Sequence, residues 1–152
     1  MRFVATTIAV SALAFNFSCV RALAVDERIA DPQAMAALVA KADQAQPKDQ
    51  CFLYAEIVHQ MTELAGQQLS SGDGDHASAT LRLVRKYAEK IHMGVADDGK
   101  KLKNAEQLMR HTSYRLNDIL NAASYDDRQA LQATLKQLEQ VQTELMMQVF
   151  KK

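Results

Sequence analysis

The sequence has few of the residues that interrupt helices and few of those that carry out most chemistry. Its 152 residues include two cysteines, two prolines, five glycines and no tryptophan. Scarce proline and glycine leave long stretches free to be helical, because these two residues break helices most strongly. The chain also has no Gly-x-Ser-x-Gly, no His-Glu-x-x-His and no glycine-rich phosphate loop after a strand. We therefore expect an all-α protein and assign no catalytic residue.

The small number of cysteines limits the disulfides that the chain can form. Cys19 lies in the apolar N-terminal segment, so Cys51 is the one cysteine that we expect in the mature chain. A single cysteine cannot form an internal disulfide in an oxidising compartment. Cys51 falls at the border of the apolar stripe of a predicted helix, where a small buried group is the first interpretation. An intermolecular disulfide is the alternative.

Residues 1–24 have the pattern of an export signal. Arg2 supplies a positive start, residues 3–20 are mostly apolar, and Ala22-Leu23-Ala24 has the small-x-small form that signal peptidase reads. We predict cleavage after Ala24 and a single helical-bundle domain over residues 25–152, in a periplasmic or secreted bacterial protein. An uncleaved anchor is the alternative, although the apolar run is short for a membrane span.

The charge of the expected mature chain is nearly balanced, with 16 basic and 18 acidic residues. This balance and the expected export argue against a nucleic-acid partner. Positions 82–110 hold eight basic and four acidic residues, whereas positions 117–150 hold two basic and five acidic ones. Ordinary charge on a solvated helix surface explains this asymmetry, and docking through opposite patches is the alternative.

Apolar residues recur at alternating steps of four and three from Ala77 to Ala123, which places them on one stripe of a helix. The stripe passes through Gly94 and Gly99, each of which costs a helix about 1 kcal/mol relative to alanine. Because the phase is kept and no proline intervenes, we predict one long coiled-coil-like helix over about 75–123, with a kink allowed at 94–99. A turn at 94–99 is the alternative. The stripe comprises Ala77, Leu81, Val84, Ala88, Ile91, Val95, Asp98, Leu102, Ala105, Met109, Thr112, Leu116, Ile119 and Ala123.

Three further helices are predicted around this one. Asp31-Pro32 starts the first, which runs to about Ala45. The second runs from about Lys48 to Ser70 and ends at a glycine-rich turn. Ser124, with an aspartate three residues later, resembles a capping box and starts the last, which runs to about Phe150. Their inward faces comprise Met35, Leu38, Val39 and Ala42; Leu53, Tyr54, Ile57, Val58, Met61, Leu64, Ala65 and Gln68; and Leu131, Leu135, Leu138, Val141, Leu145 and Val149.

A continuous central helix has a consequence for assembly. The second helix would cover its first half and the last helix its second half, and such two-stranded packing buries little surface. We therefore expect a dimer with a four-helix cross-section. With a turn at 94–99, the same stripes close into a monomeric four-helix bundle.

Two patterns suggest bound metal or haem. Glu56-x-x-His59 and Glu89-x-x-His92 resemble half of the di-iron carboxylate signature of ferritin-like bundles. The helical phase places His59 nearly opposite the apolar face, so we assign no metal ligand. A haem bundle needs an inward histidine opposite an inward methionine, and His111 faces away from the stripe of Met109. No Cys-x-x-Cys-His is present, so we expect no cofactor.

These features together predict an exported, non-enzymatic helical bundle that acts through protein–protein association. The partner is a second copy of the chain or an envelope protein. A metal- or haem-binding periplasmic four-helix bundle is the alternative, and contact with a membrane through an exposed apolar stripe is a third.

Overall fold

The computed structural model describes residues 31–93 and 99–151, with side chains placed for 31–91 and 100–151. This part of the chain forms five α-helices and no strand, so the prediction of an all-α helical bundle is confirmed. The expected signal at 1–24, with its cleavage site at Ala24, lies outside the described residues. The helices are α1 (Pro32–Gln44), α2 (Pro47–Ser70), α3 (Gly74–Met93), α4 (Gly99–Ala122) and α5 (Tyr125–Phe150).

Helix starts follow the local chemistry of the sequence. Pro32 and Pro47 are the first residues of α1 and α2, positions where a missing N–H leaves no hydrogen bond unmade. The Asp31 side chain accepts a hydrogen bond from the backbone N–H of Gln33 at 3.1 Å, as an N-cap does. At the start of α5, the Ser124 hydroxyl accepts from the backbone N–H of Asp127 at 3.4 Å, which confirms the predicted cap.

The turn between α2 and α3 closes α2 with a Schellman motif. The backbone N–H of Asp73 donates to the carbonyl of Gln68 at 2.8 Å, and that of Gly72 donates to the carbonyl of Leu69 at 3.0 Å. Gly72 takes the left-handed conformation that this motif needs, with φ of 79°. The chain therefore reverses within three residues, and α2 and α3 form an antiparallel hairpin.

The α4–α5 pair forms a second antiparallel hairpin, which lies beside the first with α4 parallel to α2. Cross-helix pairs fix this direction, because Lys101 bonds to Asp49 and Arg115 bonds to Glu63. Residue numbers thus rise together along the two helices, at an offset of 52 or 53. We call this parallel contact the α2–α4 seam.

Helix α3 runs parallel to α5 in the same way. Asp127 lies against Gly74, and the Gln137 amide donates to the backbone carbonyl of Arg85 at 3.0 Å. The order around the bundle is α2, α3, α5, α4, so that α3 and α4 occupy opposite corners, and α1 packs on α2. None of the five described helices has the length and hydropathy that a bilayer crossing requires.

The single long helix predicted over 75–123 is wrong. The described residues form two helices there, α3 ending at Met93 and α4 beginning at Gly99. Since α3 is antiparallel to α2 and α4 is parallel to it, the chain reverses between them, which corresponds to the turn alternative. The kink expected at 94–99 falls largely on residues outside the described ones.

The predicted stripe forms the core of the closed bundle. From Ala77 to Leu116, every stripe residue with a described side chain is at most 3% exposed. Burying a leucine or isoleucine fully is worth about 1.5–3 kcal/mol, so this stripe contributes a large part of the stability. Partial burial is found for Leu38, Val39, Leu64, Gln68, Ile119, Ala123, Leu135 and Val149, which lie at the edges of the faces predicted to be inward.

We predict that Gly72→Ala destabilises the protein by about 1 kcal/mol, because alanine is strained in the left-handed conformation. A methyl group at this position has nothing within 4 Å, so the loss comes from the backbone alone. Gly72→Asn is the control, since asparagine tolerates this conformation better and costs less. Urea unfolding of the three proteins measures the difference, and equal stability of all three would contradict the turn described above.

Candidate functional site

Along the α2–α4 seam, three pairs of polar side chains join the two described helices. The Nε of Arg115 lies 3.0 Å from both carboxylate oxygens of Glu63, and Lys101 pairs with Asp49 near the other end. Such charge-assisted contacts add to stability modestly where they are partly exposed, as these are. Their main effect is to fix the register of the two hairpins.

His59 lies between these two ion pairs and is held by one hydrogen bond. Its Nδ1 is 3.1 Å from the Oγ1 of Thr112, a side chain that is fully buried. The Thr112 hydroxyl donates its own proton to the carbonyl of Leu108 at 2.8 Å, so its oxygen accepts from the His59 Nδ1–H. The neutral imidazole of His59 therefore carries its free lone pair on Nε2.

A second histidine faces the first across the seam. The ring centres of His59 and His111 are 5.4 Å apart, with an angle of 57° between the ring planes. His59 is half-buried and His111 is exposed, so the pair is open to solvent on the α4 side. The two imidazoles belong to different hairpins, so only the folded chain brings them together.

The surroundings of His59 hold its pKa below the ordinary value of 6.5. Burial is the largest cause, since it disfavours the charged ring, and the positive charges of His111 and Arg115 act in the same direction. The carboxylates of Glu63 and Glu56 oppose the shift. His59 is therefore neutral at pH 7.

The residues of the di-iron pattern do not meet in the core. Glu56 and His59 lie half-buried on the α2–α4 seam, and Glu89 is exposed on α3. The His92 side chain is outside the described part of the structure. Within that part, no group of three or more histidine, cysteine, aspartate or glutamate side chains is placed to hold a metal ion.

The haem alternative needs an inward histidine opposite an inward methionine. Met109 is fully buried in the core, whereas His111 is exposed at the α2–α4 seam.

Cys51 is fully buried in α2. Burial raises the pKa of its thiol to about 11, so the reactive thiolate is scarce at neutral pH. This position favours the small buried apolar group over the intermolecular disulfide, which stays a prediction.

A second polar cluster fastens α1 to the bundle, and sequence reasoning did not find it. Asp43 accepts hydrogen bonds from the Tyr54 hydroxyl and from the Lys90 ammonium, both at 2.8 Å. The Lys90 Nζ also lies 5.0 Å from the ring centre of Tyr54 and 5.4 Å from that of Tyr87. These residues come from three helices, so no spacing in the sequence signals their contact.

The basic residues that cluster between positions 82 and 110 do not form one patch. Arg82 and Lys86 are exposed on α3, and Lys103 and Arg110 are exposed on α4. Because α3 and α4 occupy opposite corners, the two groups point to different sides of the bundle. Docking through opposite charge patches therefore gains no support from their placement.

Three grooves lie on the described surface. One of about 520 Å³ lies between α1, α2 and α4, one of about 410 Å³ lies beside the two hairpin turns, and one of about 380 Å³ lies between α3 and α5. The histidine pair lines none of these three.

Comparison of the chain with known protein families, curated proteins and solved structures finds no match.

We predict that His59 lowers the free energy of unfolding as the pH falls through about 6.5, which is the usual pKa of a histidine in an unfolded chain. Because the folded pKa is lower, the unfolded chain binds more protons between the two values, and the free energy of unfolding decreases there with falling pH. His59→Gln removes this loss, so its stability changes less between about pH 7.5 and 5.5 than that of the wild type. Urea unfolding at several pH values measures it.

His76→Gln controls for the loss of a histidine at an exposed position. An identical pH dependence in the wild type and in His59→Gln would contradict the interpretation of His59 as a ring kept neutral by its surroundings.

Proposed function

We propose that this chain is an exported helical-bundle protein that acts by associating with another protein through the end of α5. Export rests on the signal pattern of residues 1–24. Association rests on one observation: Met146, Met147 and Phe150 are 42%, 50% and 79% exposed, although all three are large and apolar. We call these three residues the α5 tip.

The register of the helices explains why the α5 tip is uncovered. Asp127 lies against Gly74 and Gln137 against Arg85, so α5 is offset from α3 by 52 or 53 residues. At that offset, the last described residue of α3 is level with position 145 or 146 of α5. Met147 and Phe150 therefore extend past the last described residue of α3, and Met146 lies close to its level.

An exposed cluster of this kind supports a contact surface. Contiguous apolar side chains at the surface are unfavourable in water and mark sites of protein interaction. Methionine adapts its shape to a partner better than branched side chains do, since it is unbranched and flexible. Two of the three residues at the α5 tip are methionines.

Because the bundle closes within one chain, the contact with a partner is no longer expected at the apolar stripe. Between Ala77 and Leu116, the stripe residues with described side chains are buried within one chain, so they leave no seam for the dimer that a continuous helix would need. The partner, either a second copy or an envelope protein, is proposed to meet the α5 tip instead.

Light scattering of the mature chain at rising concentration tests self-association, and site-specific photocrosslinking at position 150 in cells tests a heterologous partner. We predict that Met146→Glu with Phe150→Glu reduces association at least tenfold, because two carboxylates would be desolvated in an apolar contact. Tyr125→Glu is the matched control, since Tyr125 is 90% exposed at the other end of the same helix.

A dimer that is lost only in the tip variant supports self-association. A monomer that crosslinks to another protein from position 150 and not from position 125 supports a heterologous partner. A monomer without a tip-specific crosslink, or one that floats with liposomes through the α5 tip, contradicts the proposal.

A further inference from the structure

The pairing of His59 with His111 is not used by the proposed association. The two imidazoles lie on α2 and α4, one from each hairpin, and the seam residues on either side hold them in a fixed register. The way the hairpins are joined sets the distance between the two rings. This distance is close to that between two imidazoles bound to one metal ion.

The distance between the rings matches that of two imidazoles on one tetrahedral ion. A zinc–nitrogen bond of about 2.0–2.1 Å places the metal about 3.2 Å from the centre of each ring. Two rings at a tetrahedral angle then have centres about 5.2 Å apart, whereas rings at a right angle, as in square-planar coordination, have centres about 4.5 Å apart. The observed value is 5.4 Å.

The hydrogen bond between His59 and Thr112 is of the kind that orients a histidine that binds a metal. Thr112 accepts the Nδ1–H while its own proton is bound to the Leu108 carbonyl, so the Nε2 lone pair is available. Histidine ligands characteristically donate their other ring N–H to a neighbouring acceptor, which fixes the tautomer and the ring orientation. Thr112 is fully buried, so this acceptor is held in place.

The local charges are compatible with a cation. Glu56 and Glu63 act on His59 with negative charge, and Arg115 and His111 act with positive charge. Arg115 is bonded to both oxygens of Glu63, so these two opposite charges largely cancel, and Glu56 supplies the carboxylate charge that favours a cation near His59.

We propose that His59 and His111 together bind one Zn²⁺ ion that joins α2 to α4. The two imidazoles supply two of four tetrahedral positions, and water molecules supply the others, since the described residues place no third histidine, cysteine or carboxylate for this role. Zinc bound in this way links the two hairpins and stabilises the folded chain in proportion to its occupancy.

Calorimetric titration of the metal-free full chain with zinc chloride, together with thermal unfolding with and without zinc, tests the site. We expect one ion per chain and a higher Tm in zinc. His59→Ala and His111→Ala should each weaken binding at least 100-fold and abolish the Tm shift. His111→Ala is the decisive variant, because this exposed side chain is not needed for folding.

Two further variants separate a built site from adventitious binding. Thr112→Val removes the acceptor that orients His59 and should weaken binding about 10–100-fold while His59 is still present. His76→Ala removes an exposed histidine paired with Asp73 on α3 and should leave binding unchanged.

Absence of binding to the wild type would overturn the proposal. Binding that survives in either His59→Ala or His111→Ala, or that is lost in His76→Ala, would overturn it as well. The association test uses the α5 tip and no zinc, so either proposal fails independently of the other.

Discussion

Burial of one apolar stripe within a single chain is the constraint on which the rest of the structure depends. Apart from the partly buried Ile119, the stripe residues of α3 and α4 with described side chains are almost completely buried, yet these two helices occupy opposite corners of the bundle. Each half of the stripe therefore faces the other half across the core, and α2 and α5 fill the remaining corners. The chain has to reverse between Met93 and Gly99 for this to happen.

The parallel arrangement of the hairpins places polar residues where helices meet side by side. On the α2–α4 seam, side chains 52 or 53 residues apart pair repeatedly, from Asp49 with Lys101 to Glu63 with Arg115. Close approach is needed as well, because a Cβ atom built on Gly66 would lie 2.8 Å from the Cδ1 of Ile119. This register brings His59 beside His111, and the similar offset of α5 from α3 leaves the α5 tip uncovered.

Local patterns in the sequence predicted the helices and most of their buried faces. The structure has three local features where the sequence predicted them: the start of α1 at Asp31-Pro32, the turn at Gly72 and the cap at Ser124. Each of these signals depends on only a few neighbouring residues. The continuous helix failed for an identifiable reason. Ile91 and Leu102 are eleven residues apart, which equals one step of seven and one of four, so a short reversal preserved the heptad phase by its length alone.

Local sequence patterns could not predict contacts between residues that are far apart in the sequence. The helical phase placed the His59 ring nearly opposite the apolar face of α2, whereas the ring is half-buried on the α2–α4 seam, and its pairing with His111 depends on a register that only the folded bundle sets. The cluster of Asp43, Tyr54 and Lys90 needs three helices and was missed for the same reason.

The distance between positions 82 and 114 tests the closed bundle most directly. Spin labels at Arg82→Cys and Tyr114→Cys, in a Cys51→Ser background, use two exposed sites on α3 and α4. With neighbouring helix axes about 8–10 Å apart, opposite axes are about 11–14 Å apart, and labelled side chains that point outward bring the labels to about 20–30 Å. A continuous helix at 1.5 Å per residue would place them about 48 Å apart. A single distance within the shorter range is the expected result, and one centred on the longer value would contradict the fold.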